Sequence, residues 1–416
     1  MSNQILTDFE KVTKTLQLSK ENIDLRKKSL DQFMQKGFPN KKQEDWKFSD
    51  LNQIISTQIK NLKFFDENSS KEKFEEISLD LFPKYITNNN VILLVNGYVK
   101  KINLDYEDLN KIKIINSKEN KINNTKESLI SLNNAFSSNY LQITVKENYK
   151  LNWPLILLNI SSKKVKFTNI NQRLDIFLEN NSQMSIVNIF EDYSDSNFIN
   201  INHQFTISKN AVLKNYKIDY KANSNIKYFY NNIDLNQNSV SENFILSYGS
   251  NFIKNEIICN LKEQYSSAFV SGIMNLNEKK HHEIKSKINH IAENTKSYQL
   301  IKSVLSEKSK GIYQGKIFVD SKAQKTDGYQ LSKALLLSKD TEFDAKPELE
   351  IYADDVKCSH WSTSGNLDEN AIFYLMTRGI KRDDAKKLLI NGFLKDVLEK
   401  ITDPEIKKII NNIIGI

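Results

Sequence analysis

The chain has 416 residues, of which 39% are hydrophobic and 26% charged, so it can bury a sizeable core and hold more than one domain. No apolar run approaches the roughly 18 residues of a membrane-spanning helix. The net charge of +8 invites a nucleic-acid reading, but only Arg26, Arg173, Arg378 and Arg382 are arginines; the rest of the positive charge is lysine interleaved with acids and asparagine, whereas nucleic-acid sites favour Arg for bidentate contacts. The basicity therefore reads as compositional drift. The opening MSNQILTDFEKV carries acids and lacks an apolar h-region, so no signal peptide is expected. Two cysteines, Cys259 and Cys358, give no disulfide framework, and the expected compartment is a reducing cytoplasm.

Along the chain, Ile23, Leu30, Phe33 and Met34 fall at helical spacing, and Gly37 with Pro39 stops that helix. Trp46, Phe48 and Leu51 supply apolar anchors after a polar turn. The stretch from Asn61 to Asn90 is mixed and charged. Val91 to Val99 is a strand with an Asn96-Gly97 turn signal. Lys118 to Lys126 reads as a loop, and Leu129 to Phe136 as a short helix leading into the next region.

The middle of the chain repeats itself. Short apolar strands recur, each followed by a polar turn, with anchors at Ile176, Phe205, Ile233, Ile257, Ile288, Ile317 and Ile351. The steps between them are 29, 28, 24, 31, 29 and 34 residues, a range that signals a solenoid. No Pro occurs between Pro154 and Pro347, and Gly is thin, which argues against a propeller. The pattern fits a right-handed parallel β-helix whose stacked coils form a shared core; an antiparallel sandwich is the alternative. His203, Cys259 and His290 share parity with core anchors and are expected inside. His281 and His282 are adjacent, so they face opposite ways and do not share a metal.

The run from Lys346 to Gly379 concentrates the chemistry. Leu349, Ile351 and Ala353 alternate with Glu348, Glu350 and Tyr352 as a strand. Asp354 and Asp355 follow, facing opposite sides, so they are not a simple acid/base pair. Cys358 and His360 are two apart and project from one face of an extended backbone. Sulfur and imidazole nitrogen suit zinc and iron–sulfur chemistry, but two ligands do not close a tetrahedral site. The plainer reading is a partly buried core Cys beside a surface His. After Gly365 the period returns to helical: Ile372, Phe373, Leu375 and Met376 end at Gly379; Ala385, Leu388, Leu389, Phe393, Val397 and Ile401 continue; Asp403-Pro404 starts a last helix with Ile406, Ile409, Ile410, Ile413 and Ile414. This aliphatic tail either docks on the solenoid or offers a partner-binding face. No Walker loop, nucleophile elbow, H-E-x-x-H or C-x-x-C occurs.

Four words near the C-terminus, QKTDGYQ (Gln324 to Gln330), LLLS (Leu335 to Ser338), KPELEIYADDVKCSH (Lys346 to His360) and FYLMTRGI (Phe373 to Ile380), together with EDWKFSDL (Glu44 to Leu51), resemble the SufB/SufD family of iron–sulfur cluster assembly proteins, in its SufD branch. Trp361 departs from the family's small residue after CSH. The resemblance implies a right-handed parallel β-helix over 141–365, flanked by a mostly helical N-terminal α/β region, 1–140, and a helical region, 366–416. It implies a non-catalytic scaffold that pairs with a SufB-like paralogue through the β-helix and with a SufC-like ABC-type ATPase through the C-terminal helices. A cysteine desulfurase supplies the system indirectly, and neither nucleic acid nor a membrane is a partner. A nascent iron–sulfur cluster would form at the subunit interface with His360 and Cys358 as ligand positions, and Ile372, Phe373, Leu388, Leu389 and Phe393 would serve the ATPase contact. Reduced flavin has been linked to some family complexes, although no flavin motif is present here. Two other readings are a β-helix polysaccharide lyase or hydrolase and a basic nucleic-acid-binding repeat protein.

Overall fold

The computed structural model describes residues 2–71, 90–119, 121–122, 125 and 127–414. The middle of the expected Lys118–Lys126 loop and the side chains of Ile413 and Ile414 lie outside the described residues. The helices are α1 (Ser2–Leu16), α2 (Lys20–Lys36), α3 (Leu51–Gln58), α4 (Asn68–Lys71), α5 (Ser128–Phe136), α6 (Glu369–Thr377), α7 (Arg382–Leu398) and α8 (Pro404–Ile414). A ten-stranded sheet holds β1 (Asn90–Val95), β2 (Tyr98–Asn103), β5 (Leu155–Ser161), β7 (Gln183–Asp192), β9 (Val212–Asp219), β11 (Val240–Ser247), β13 (Ser267–Leu276), β15 (Lys296–Leu305), β17 (Thr326–Leu336) and β19 (Val356–Gly365). A nine-stranded sheet holds β3 (Ile112–Ser117), β4 (Tyr140–Val145), β6 (Asn169–Leu178), β8 (Phe198–Ile207), β10 (Asn223–Leu235), β12 (Ser250–Leu261), β14 (His281–His290), β16 (Lys310–Val319) and β18 (Glu342–Ile351).

From β4 onward the chain alternates between the two sheets, and each strand pairs in parallel with the strand one coil earlier. The result is a parallel β-solenoid of about eight turns. Antiparallel strands β2 and β3 close its first end; β18 and β19 are the edges at the other. Each coil corners on a residue in the left-handed region: Asn148, Asn181, Asn210, Asn238, Tyr265, Asn294 and Lys325, with φ between 56° and 62°. Asn tolerates that conformation better than most residues, which accounts for the polar turns after each strand. The corners also bond to one another, Asn181 Nδ2 donating to Asn148 Oδ1 at 2.8 Å and Asn210 Nδ2 to Asn181 Oδ1 at 2.9 Å.

The core runs up the middle of the stack. Ile176, Phe205, Ile233 and Ile288 lie in it, and Ile317 follows in the last coils. The in-register column is Ile176, Phe205, Ile233, Cys259, Ile288, Ile317 and Leu349. Two anchors therefore shift by two residues, Ile257 to Cys259 and Ile351 to Leu349. A period-two strand offers apolar residues at both positions, so pattern alone cannot choose between them. The strand expected to run through Ala353 ends at Ile351; the chain must corner there to begin β19, and Ala353 turns into the core as it does so.

Helices cover both outer faces. α1, α2, α3 and α5 pack with Phe198, Ile226, Tyr228 and Phe252 on the nine-stranded sheet. The EDW turn, Glu44–Trp46, is part of this seam. Trp46 is buried with its ring centroid 5.7 Å from that of Tyr228, the Lys254 ammonium stands 4.5 Å from the Trp46 ring, Asp45 pairs with Lys285 at 2.7 Å, and Glu44 pairs with Lys346 on the edge strand. On the ten-stranded sheet, Leu394, Val397, Leu398, Ile401, Ile406 and Ile410 of the tail bury against Tyr216, Ile218, Phe244 and Leu246. α2 ends on Gly37 at φ 66° as expected, and the Asn96-Gly97 turn joins β1 to β2 with both residues at positive φ. No described helix is long and apolar enough to cross a membrane.

Candidate functional site

Cys358 and His360 both lie in β19, the last strand of the ten-stranded sheet. Their shared parity holds, and both belong to the lumen-facing side of the strand. Val356 and Cys358 pack against the terminal core of Ile317, Val319, Ala323 and Ala353. Cys358 is half-buried and His360 exposed, because nothing in the described chain stacks beyond β19. A half-buried thiol and an exposed imidazole thus sit about 7 Å apart along one strand edge. Trp361 belongs to the opposite face and is 68% exposed, so its ring does not cover the imidazole.

Burial first, and the Asp327 carboxylate second, hold the Cys358 thiol above its ordinary range, while a hydrogen bond from the Gly328 backbone pulls the other way. Gly328 is the register partner of Cys358, and Gln330 that of His360. A Cβ at Gly328 would lie 3.4 Å from Cys358 Sγ, from His290 Nε2 and from Ser297 Oγ, so the thiol packs over a small polar floor. His290 is itself fixed, with Nδ1 2.7 Å from Thr295 Oγ1 and Nε2 2.9 Å from Ser297 Oγ. Sequence reading missed this floor. A signal was present: QKTDGYQ and DDVKCSH are separated by one coil, 30 residues from Gly328 to Cys358, so the two words are neighbours in space.

The other expectations sort by burial. Cys259, His203 and His290 are inside, as parity indicates. His282 is buried, bonded to Ser247 Oγ at 2.9 Å and to the Ser250 carbonyl at 2.6 Å, while His281 turns the other way to meet Glu283 at 3.0 Å. Asp354 and Asp355 lie exposed in the turn between β18 and β19. Among the described residues no group of three or more His, Cys, Asp or Glu side chains is arranged to hold a metal ion. On the tail, Ile372 is fully buried, Phe373 is 68% and Leu388 53% exposed, and Leu389 is half-buried. Phe393 packs onto the solenoid side, with the Lys302 ammonium 4.4 Å from its ring. The tail therefore divides: α7's second half and α8 dock, while α6 and the start of α7 leave large apolar side chains in solvent.

Comparison with known proteins agrees with this architecture. The chain is 24% identical to the iron–sulfur cluster assembly protein SufD of Escherichia coli (strain K12), over 91% of this chain and 89% of that one. It is 23% identical to an iron–sulfur cluster assembly SufBD family protein of Synechocystis, over 87% of this chain and 84% of the relative. It is 25% identical to the chloroplastic protein ABCI7 of Arabidopsis thaliana, over 92% and 83% of the two chains. The family model described as SUF system FeS cluster assembly, SufBD core domain, matches residues 158–393. That match spans the stacked coils, both lumen words and the edge strand with Cys358 and His360, and the chain belongs to the SufBD family of the SUF iron–sulfur cluster assembly system.

Proposed function

We propose that this chain is a SufD-like scaffold subunit of a SUF assembly complex. In this reading it pairs with a SufB-like paralogue through the last coil of the solenoid. It receives a nascent iron–sulfur cluster at that junction, with His360 the principal ligand and Cys358 its neighbour. The tail, residues 366–416, docks a SufC-like ATPase through the exposed apolar side chains of α6 and early α7. The chain catalyses nothing alone; the cluster is cargo, and the work of rearrangement comes from the ATPase. Its place of action is the cytoplasm.

One observation carries the reading. The only cysteine outside the deep core and an exposed histidine share the lumen face of an edge strand. An edge strand offers unpaired backbone groups to a partner, and an incomplete ligand set at such an edge is completed only by what binds there. A site shared between two subunits releases its cargo when they part, which a closed structural site does not.

The test is iron and acid-labile sulfide per purified complex, after co-expression with the paralogue and the ATPase. His360→Ala is expected to remove most of the cluster while the complex still assembles, and Cys358→Ser to have a smaller effect. A His360→Ala complex as fully loaded as the parent would place the site elsewhere.

A further inference from the structure

The stack ends on two edge strands, and they differ. On β18 the outward side chains are Glu342, Asp344, Lys346, Glu348 and Glu350, and Lys310 and Lys316 of the coil before pair with three of these carboxylates. The Glu342 amide donates to the Ser309 carbonyl and the Tyr352 amide to that of Val319. Amides alternate in direction along a parallel strand, so the even-numbered ones turn back to β16 and position 347 faces the free edge, where proline has no N–H to offer. Charges and proline blunt an edge. β19 has no proline and a single outward charge, Lys357; the rest of that face is Ser359, Trp361 and Thr363 up to Gly365.

Trp361 also ends an apolar column. Leu300 on β15, Leu331 on β17 and Trp361 on β19 are register partners on the outer face of the ten-stranded sheet. The tail packs over Leu300, which is buried, and partly over Leu331. Trp361, one coil further, stands 68% exposed. Tyr329, two residues before Leu331 on the same face, is 38% exposed. Apolar surface therefore runs from under the tail to the free edge, on the face of β19 turned away from Cys358 and His360.

We infer that Trp361 is the anchor of subunit pairing: the SufB-like paralogue lays an edge strand along β19 and buries the Trp361 ring, as one more coil of the stack would. The inference rests on the proposed pairing through the last coil and names the side chain on which that pairing turns. A strand added to an open edge lies about 4.8 Å away, and its side chain opposite Trp361 comes within about 5.5 Å, Cβ to Cβ. Tryptophan is the residue type most enriched among those that dominate binding energy, and it gains most when an exposed ring becomes fully covered. The open backbone of β19 calls for a strand as occupant, which a paralogue built on the same stack carries at its own end. Ligand positions and pairing anchor then occupy opposite faces of one strand, so either can be altered without touching the other.

The experiment uses the full chain labelled with 5-fluorotryptophan, whose 19F signals come from Trp46, Trp153 and Trp361 alone, with Trp361→Phe assigning the last by its loss. On titration with the unlabelled paralogue, the Trp361 signal is expected to move and to lose its H2O/D2O isotope shift, while that of Trp153, before the first coils, stays. By calorimetry, Trp361→Ser is expected to weaken pairing roughly ten-fold or more, and Trp361→Phe by less than about three-fold. The ring faces solvent in the free chain, so both variants are expected to melt with the parent. At saturating paralogue, the Trp361→Ser complex should carry as much iron and sulfide as the parent. The ATPase added alone should leave the Trp361 signal unmoved. A Trp361 signal unmoved by the paralogue, or moved by the ATPase alone, or a Trp361→Ser chain that pairs as tightly as the parent, overturns the inference while leaving the proposed pairing and the ligand positions intact. A parent chain that does not pair with the paralogue overturns both.

Discussion

Three of the five histidines sit where a proton is costly. Burial pushes His203, His282 and His290 down to about 3, against about 6.5 for an exposed imidazole. In the unfolded chain each takes up a proton as pH falls through about 6.5; in the folded chain each stays neutral until about 3. The unfolded state therefore binds more protons in that window, and stability falls as pH falls, by up to about 1.4 kcal/mol per pH unit for each such group. Above about pH 7 the three contribute no slope. Glu283, whose burial alone would raise it but which Lys254 and His281 together hold down to about 2, adds a loss that starts lower, as pH drops below the ordinary carboxylate range. Thermal melting between pH 7.5 and 4.5 is expected to show a steep decline, made shallower by His282→Gln. A melting temperature flat to pH 4.5 would mean that these rings protonate in place.

At the scale of elements, the tail docks on the solenoid and, in the proposed reading, also holds the ATPase. Val397, Ile401, Ile406 and Ile410 cover the outer face of the ten-stranded sheet, so deleting the tail would uncover Tyr216, Phe244 and their neighbours. Point changes separate docking from binding. Phe373→Ser with Leu388→Ser removes apolar surface that already faces solvent, and is expected to leave melting within about 0.5 kcal/mol while reducing ATPase co-purification at least ten-fold. Undiminished co-purification would show that the ATPase docks elsewhere. Helical period gave α7 and α8 from sequence, with Asp403 Oδ1 accepting from the Glu405 amide at 3.1 Å as the first-turn cap. Period does not tell which of two apolar stripes meets its own chain, and so Ile372 and Phe373, adjacent in sequence, end at 0% and 68% exposure. The EDW word was legible as a likeness only. Its work, a buried ring laid across one face of the solenoid, depends on Tyr228 and Lys254 about 200 residues away, and no local pattern reports that.

For the whole molecule, coils stacked in register mean that a fault in one is felt by its neighbours. Ile288 lies between Cys259 and Ile317 in the central column and is fully buried. Ile288→Asp places an unpaired charge there and is expected to cost several kcal/mol, read as a large fall in melting temperature by far-UV circular dichroism. An unchanged melt would contradict the column. The column was legible because strands of like length recur every 24 to 34 residues in the sequence reading. Its register at Cys259 and Leu349 was not, since Ile257 and Ile351 are better hydrophobes two places away, and only the cross-strand partner decides. The candidate site was legible as two residues on one face. Its floor of Gly328, Ser297 and His290 comes from three other strands.

Parallel stacking one coil at a time also sets an order in biosynthesis. Each strand's partner precedes it by roughly 30 residues, so during translation, which exposes the N-terminal part first at about 5–20 residues per second, every new strand leaves the ribosome after its template. The strand bearing Cys358 and His360 is the last to find its place. A nascent chain released early can complete many coils yet lack the edge strand that carries Cys358 and His360, and its stack then ends on a different strand with a different face.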